Sequence, residues 1–258
     1  MYKNFSTLLA RPLLWSLAIL TPLMPLAIFP SSAQALPEAQ IVEKLQKVPV
    51  FTITNETGNF FQQSVGPAGK SQLFTPVFME LKDAVGFLKK LKKGQPKETK
   101  SAQITIVPLS EVYKLQIEAK KKSDNMNFSF VPAQQQLKSA LAILKKPYQQ
   151  NTAYPVPLFV IAIQQKDKYV TIQANNLTSL FFDKQEAQQA LDAYKKKDPK
   201  SFAKAEIKVN YLQNILEDFY ARNYPGQQQL VLIPSSESKD SVRKLQAAQP
   251  KSTPALKK

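Results

Sequence analysis

Val48-Pro49-Val50-Phe51-Thr52-Ile53 returns later in the chain as Val156-Pro157-Leu158-Phe159-Val160-Ile161, an offset of 108 residues. Both stretches are β-branched and aromatic, and each carries a proline where a strand tolerates one, at its start. Three further blocks repeat in the same order. Phe78-Met79-Glu80-Leu81-Lys82-Asp83-Ala84 matches Phe181-Phe182-Asp183-Lys184-Gln185-Glu186-Ala187 at an offset of 103. Ala102-Gln103-Ile104-Thr105-Ile106 matches Ala205-Glu206-Ile207-Lys208-Val209 at the same offset, and Phe128-Ser129-Phe130-Val131-Pro132 matches Leu230-Val231-Leu232-Ile233-Pro234 at 102. Matched blocks in one order, at nearly constant offset, read as an internal duplication. The main step in the offset falls at Gly66-Pro67-Ala68-Gly69-Lys70, a loop the second copy lacks.

Each copy reads as β-β-α-β-α-β-α. Val50 to Thr54 and Leu158 to Ile163 are opening strands, and Tyr169 to Gln173 is a period-two second strand. Asp83 to Lys92 and Glu186 to Lys195 keep the i, i+3, i+4, i+7 apolar spacing of a helix face. Glu80 and Asp183 stand at the helix starts, and lysines gather at the helix ends, both complementing the dipole. A strand (Gln103 to Val107; Glu206 to Val209) and a helix (Leu109 to Lys121; Leu212 to Arg222) follow. A strand ending in proline (Asn127 to Val131; Gln229 to Ile233) and a last helix (Gln134 to Leu144; Ser236 to Leu245) complete the unit. The expected architecture is α+β, with two pseudo-twofold-related repeats forming two lobes. The expected boundaries are a first lobe at 36–146, a connector at 147–155, a second lobe at 156–247 and a disordered basic tail at 248–258.

Residues 1–35 read as a secretory signal peptide. Lys3 and Arg11 form a positive n-region, Leu13 to Phe29 is apolar, and Ser31-Ser32-Ala33-Gln34-Ala35 offers an A-x-A site, with cleavage expected after Ala35. A retained membrane anchor is the rival reading, weakened by Pro22 and Pro25. Export without cysteine fits a periplasm, with a thylakoid lumen as the alternative. The formal charge of +16 becomes +14 once the leader is removed. Three N-x-[ST] sequons, at Asn55, Asn127 and Asn176, read as chance matches.

The chain has 258 residues, no histidine and no cysteine. That excludes His-dependent nucleophile pairs and the usual zinc, iron–sulfur and disulfide sites. Ser64-Val65-Gly66-Pro67-Ala68-Gly69-Lys70-Ser71 lacks the first glycine of a phosphate-binding loop and no helix pattern follows it. Glu80 with Asp83 and Asp183 with Glu186 have a structural explanation at helix starts, so no catalytic residue, cofactor or metal site is expected and the protein reads as a non-enzyme. The lysine clusters lack interleaved aromatics, so nucleic acid is not an expected partner. Leu73-Phe74-Thr75-Pro76-Val77-Phe78 and Leu180-Phe181-Phe182 lie in segments leading into helices and could line apolar grooves.

At these blocks the chain resembles the Tic-twenty-two-like (Tic22-like) family. The carrying features are Val48 to Asn55, the helix entry Val77-Phe78…Asp83-Ala84…Phe87-Leu88, and its echo Leu180 to Ala187, with similarity over Val48 to Pro234. Plant members belong to the protein-import machinery of the chloroplast inner envelope, and cyanobacterial relatives are periplasmic. The resemblance implies two pseudo-symmetric α+β lobes with hydrophobic pockets and a chaperone-like role in protein translocation or outer-membrane biogenesis. The expected client-binding positions are Phe74, Val77, Phe78, Leu180, Phe181 and Phe182. Expected partners are unfolded precursor or outer-membrane proteins, a β-barrel assembly or translocation component, and anionic membrane touched peripherally. The alternative function is a carrier for a lipid or another anionic envelope polymer.

Overall fold

The computed structural model describes residues 36–65, 72–97, 99–122, 126–149, 152–166, 168–221 and 226–248. The leader (1–35), the Gly66–Lys70 loop and the tail after Ala248 lie outside the described residues. Helix α1 (Glu38–Gln46) comes first, followed by strands β1 (Pro49–Thr54), β2 (Gln63–Val65) and β3 (Gln72–Phe78). Helix α2 (Leu81–Gly94), β4 (Gln103–Pro108), α3 (Leu109–Lys122), β5 (Asn127–Val131) and α4 (Gln134–Leu144) complete the first half. The second half runs β6 (Pro157–Gln165), β7 (Lys168–Thr171), β8 (Thr178–Phe181), α5 (Lys184–Lys197), β9 (Ala205–Tyr211) and α6 (Leu212–Ala221). A short 3-10 turn (Gln227–Gln229), β10 (Leu230–Ile233) and α7 (Ser236–Ala248) end it.

The two halves build matching sheets. β1 pairs antiparallel with β4 from Pro49↔Pro108 to Thr54↔Gln103, and its other edge meets β3 at Phe51↔Phe78 and Thr52↔Val77. β5 lies parallel to β3 on the edge away from β1, and β2 pairs with the start of β3. In the second sheet β6 pairs antiparallel with β9, meets β8 at Phe159↔Phe181, and β10 runs parallel to β8. One difference is local: β7 forms a hairpin with β6, whereas β2 pairs with β3.

Each half thus holds a third strand before its first helix, β3 or β8, where the sequence suggested a lead-in segment. Pro76 obscures the first of these, because proline is rarely tolerated inside a sheet. Its carbonyl points toward β1 and accepts a 3.1 Å hydrogen bond from Thr52 Oγ1. Its missing N–H therefore faces the same edge, in the gap between the β2 ladder at Gln72–Phe74 and the β1 ladder at Val77–Phe78. No ladder bond is lost there.

The central strands β1 and β6 are covered on both faces, which explains why they read as continuous apolar runs and do not alternate, whereas β7 is exposed along its length. Val50, Val77 and Val107 from one sheet share a central core with Leu158, Leu180 and Leu232 from the other, and α1, α3 and α6 close it. On the outer faces Phe51, Ile53 and Phe78 lie under α2, and Phe159 and Ile161 lie under α5.

The final helices are exchanged. Ala140 and Ile143 of α4, in the first half, pack into the outer core of the second sheet with Ala187 and Leu191. Val242 and Leu245 of α7, in the second half, pack over Phe51 and Ile53 of the first sheet. Side chains at helix starts lock the exchange. Asp83 of α2 accepts from the Gln134 backbone N–H that opens α4. Glu186 of α5 accepts from the Ser236 N–H that opens α7, at 2.6 Å. The expectation of two lobes each keeping its own last helix is therefore corrected: each outer core is completed by the other half.

Candidate functional site

The six apolar positions read from sequence as client-binding do not form a surface. Phe74, Val77 and Phe78 are in β3, Leu180 and Phe181 in β8, and Phe182 directly follows. Alternation along the strands sends them to different cores. Val77 (0% exposed), Leu180 (2%) and Phe182 (6%) fill the central core. Phe78 (3%) packs beneath α2, with its ring 5.2 Å from that of Phe87. Phe181 is half-buried in the outer core of the second sheet, and Phe74 is half-buried on β3 opposite Asn127. Sheet interior replaces the expected groove at Val77, Phe78, Leu180 and Phe182, which are buried, while the start of β3 at Gln72 and Leu73 stays exposed.

The acids behave as helix-start groups. Asp183 caps α5 by accepting from the Glu186 N–H at 2.9 Å, and Gln136 Nε2 of α4 reaches its second oxygen at 2.5 Å. Glu80 makes no such cap; its carboxylate is buried and lies 2.7 Å from Lys82 Nζ. Burial pushes the Glu80 carboxyl above its ordinary range, with the Lys82 hydrogen bond opposing. Asp83 is pushed up by burial as well, opposed by Lys82 and the Gln134 backbone. Among the described residues, no group of His, Cys, Asp and Glu has a geometry that would hold a metal ion.

An open cleft lies elsewhere, between the counterpart helices α3 and α6. Its volume is roughly 400 Å³, and it is walled by Tyr113 and Ile117 of α3 and by Leu216 and Tyr220 of α6, and floored by Phe128 and Phe130 of β5. Residues Ala153 to Pro155 form its rim. The walls are apolar because both helices also serve the central core, to which Tyr113, Ile117, Leu216 and Phe128 contribute. Tyr220 stays 53% exposed, and Lys120 Nζ sits 4.6 Å from its ring centroid, a cation–π contact at the mouth. Burial, then Glu38 and Tyr220, push the Tyr113 hydroxyl upward, so it stays protonated and able to donate. Such a surface is suited to apolar burial and hydrogen bonding. Sequence patterning missed it because apolar residues of two amphipathic helices read as core, and only the third dimension shows which of them face a gap.

The chain is a two-sheet α+β protein with exchanged terminal helices. It belongs to the Tic22-like family, whose model matches residues 24–244. A solved structure of Anabaena Tic22, a protein of protein transport, is 30% identical, with a TM-score of 0.65 over 84% of this chain and all of that one. Tic22 from Plasmodium falciparum shares the fold at 21% identity, with a TM-score of 0.60 over 81% of this chain and 99% of that one. No curated protein sequence matches.

Proposed function

We propose that this protein is a periplasmic chaperone or transport factor that holds unfolded outer-membrane or precursor proteins at the α3–α6 cleft. Family membership and the transport role of the Anabaena relative support the general reading. The observation that carries the binding mode is the open, aromatic-walled cleft at Tyr113, Phe128 and Tyr220. Apolar segments of an unfolded chain lose water contact there, and no covalent step is needed. The protein is accordingly read as a non-enzyme. It acts in protein translocation or outer-membrane biogenesis, exported through a leader cleaved after Ala35. Its excess of 35 basic over 19 acidic residues suits peripheral contact with anionic membrane or with an acidic assembly component.

The test is a photocrosslinking residue at Gln116, on the cleft wall, with denatured β-barrel precursor as bait. Capture together with suppressed precursor aggregation is the expected result; the absence of both effects overturns the reading. Crosslinkers at Phe78 or Phe181 would report on the core and not on clients. Native mass spectrometry addresses the lipid- or polymer-carrier alternative, because a stoichiometric small amphiphile retained through purification would favour the carrier.

A further inference from the structure

Helix α1 occupies a trough made by α3 and the outer edge of β10. Ile41 and Leu45 of α1 enter the central core beside Val112, Tyr113 and Leu232. Lys44 Nζ donates to the carbonyls of Gln228 and Leu230, at 2.8 and 3.0 Å, which terminates the open edge of the sheet. Gln46 Oε1 accepts from Ser110 Oγ of α3 at 2.6 Å.

Every wall of that trough has a counterpart in the other half: α6 stands for α3 and β5 for β10. The backbone confirms the register, since Leu109 N–H donates to the Val48 carbonyl and Leu212 N–H donates to the Val156 carbonyl. The same offset of 108 that aligns Val48 with Val156 lays Lys146–Tyr154 over Glu38–Gln46. There Ile41 becomes Gln149, Lys44 becomes Thr152 and Leu45 becomes Ala153, while Pro147 lies within the stretch and Pro155 follows it. Residues 146–149 and 152–155 are not helical. The cleft between α3 and α6 lies where the counterpart of α1 would sit, against Leu216, Tyr220, Phe128 and Ala153.

The polar side of the trough is duplicated too. The Val131 carbonyl accepts from the Met79 N–H, so Val131 faces β3, and by alternation Phe128 turns its carbonyl to the outer edge. Phe128 is the counterpart of Leu230, whose carbonyl Lys44 holds. The exposed carboxylate of Glu217 adds negative charge to the same cleft. Outward carbonyl and carboxylate together complement a cation.

We infer that the α3–α6 cleft receives an amphipathic helix from another polypeptide that repeats the α1 pattern, two aliphatic side chains four apart with a lysine just before the second. This rests on the reading above and names the class of segment bound. A helix is favoured over an added strand because this chain fills the matching trough with a helix.

The probe is a fluorescein-labelled peptide with the sequence Leu36 to Lys47, titrated with the purified protein and followed by anisotropy. Saturable binding is expected, weakened about tenfold or more when the peptide carries Leu45→Asp or the protein carries Ala153→Trp, which fills the cleft. Ala153 is exposed, so the Trp variant should keep the wild-type melting curve, and that curve is measured alongside. A proline at the Glu43 position of the peptide, which breaks a helix, should abolish binding. Absence of saturation up to about 1 mM, or binding indifferent to Ala153→Trp or to the proline, overturns the inference. Capture of denatured precursor at Gln116 with no peptide binding would sink the helix pattern while leaving the broader reading standing. Failure of both would remove the two together.

Discussion

Asp183 and Glu80 hold the same position in the two halves and behave differently. Asp183 is a working N-cap shared with Gln136, so Asp183→Ala removes a cap and a contact that seats the exchanged helix α4. Chemical denaturation should show a loss of about 1–2 kcal/mol, within the usual range for an N-cap. Glu80 is buried beside Lys82, and its carboxyl is raised chiefly by desolvation. An acid raised on folding binds more protons in the native state than in the unfolded one. Its ionised form therefore costs stability at neutral pH, and the cost is relieved as pH falls toward the raised value. The window opens just above the ordinary glutamate value of 4.5. Stability of the native protein relative to Glu80→Gln should rise as pH is lowered from 7 into that window; an unchanged difference across paired urea titrations would contradict the burial argument.

At the scale of elements, the duplication made most helices and strands legible. β5 and α4 fall on the boundaries expected from Asn127 to Val131 and Gln134 to Leu144. Two kinds of element were not legible. β3 was hidden by Pro76, whose harmless placement depends on a gap between ladders that no local pattern encodes. α1 has no repeat partner, since Lys146–Tyr154 carries Pro147 and lacks the aliphatic pair, so a search built on repetition passes over it. Yet α1 anchors the central core, and Leu45 is fully buried. Leu45→Ala should cost about 3 kcal/mol, read as a shifted denaturation midpoint. The exchange of α7 makes a sharper case. Truncation after Ile233 removes Val242 and Leu245 from above Phe51 and Ile53. Amide exchange in β1 should then accelerate although every residue of the first half is still present, whereas unchanged protection would mean α7 adds little.

For the molecule as a whole, the fold class followed from sequence while the α3–α6 cleft did not. Four of the six expected binding residues are buried, because apolar content marks core and groove alike. What separates Tyr220 from Phe182 is which side of a helix or strand faces another element, and that is decided by packing across more than a hundred residues. The exchanged helices also bear on division of the chain. Residues 36–146 and 156–248 produced separately should each lack native circular dichroism, and mixing the two should restore it; two independently folded halves would refute the interlocked arrangement. The central core draws on both sheets, so each half alone would expose the apolar face the other covers.

Interlocking also sets an order of events in time. Ser238 Oγ reaches the Pro49 carbonyl across 189 positions of sequence, and Lys44 reaches the Leu230 carbonyl across 186. Contacts of such separation slow folding, because the loop-closure entropy is spent before they form. The first sheet should therefore stay incompletely covered until the last helix is in place. An interrupted chain, even one ending a few residues short of α7, would leave Phe51 and Ile53 under-covered and open to proteolysis, so quality control can recognise an unfinished copy by its oldest strand.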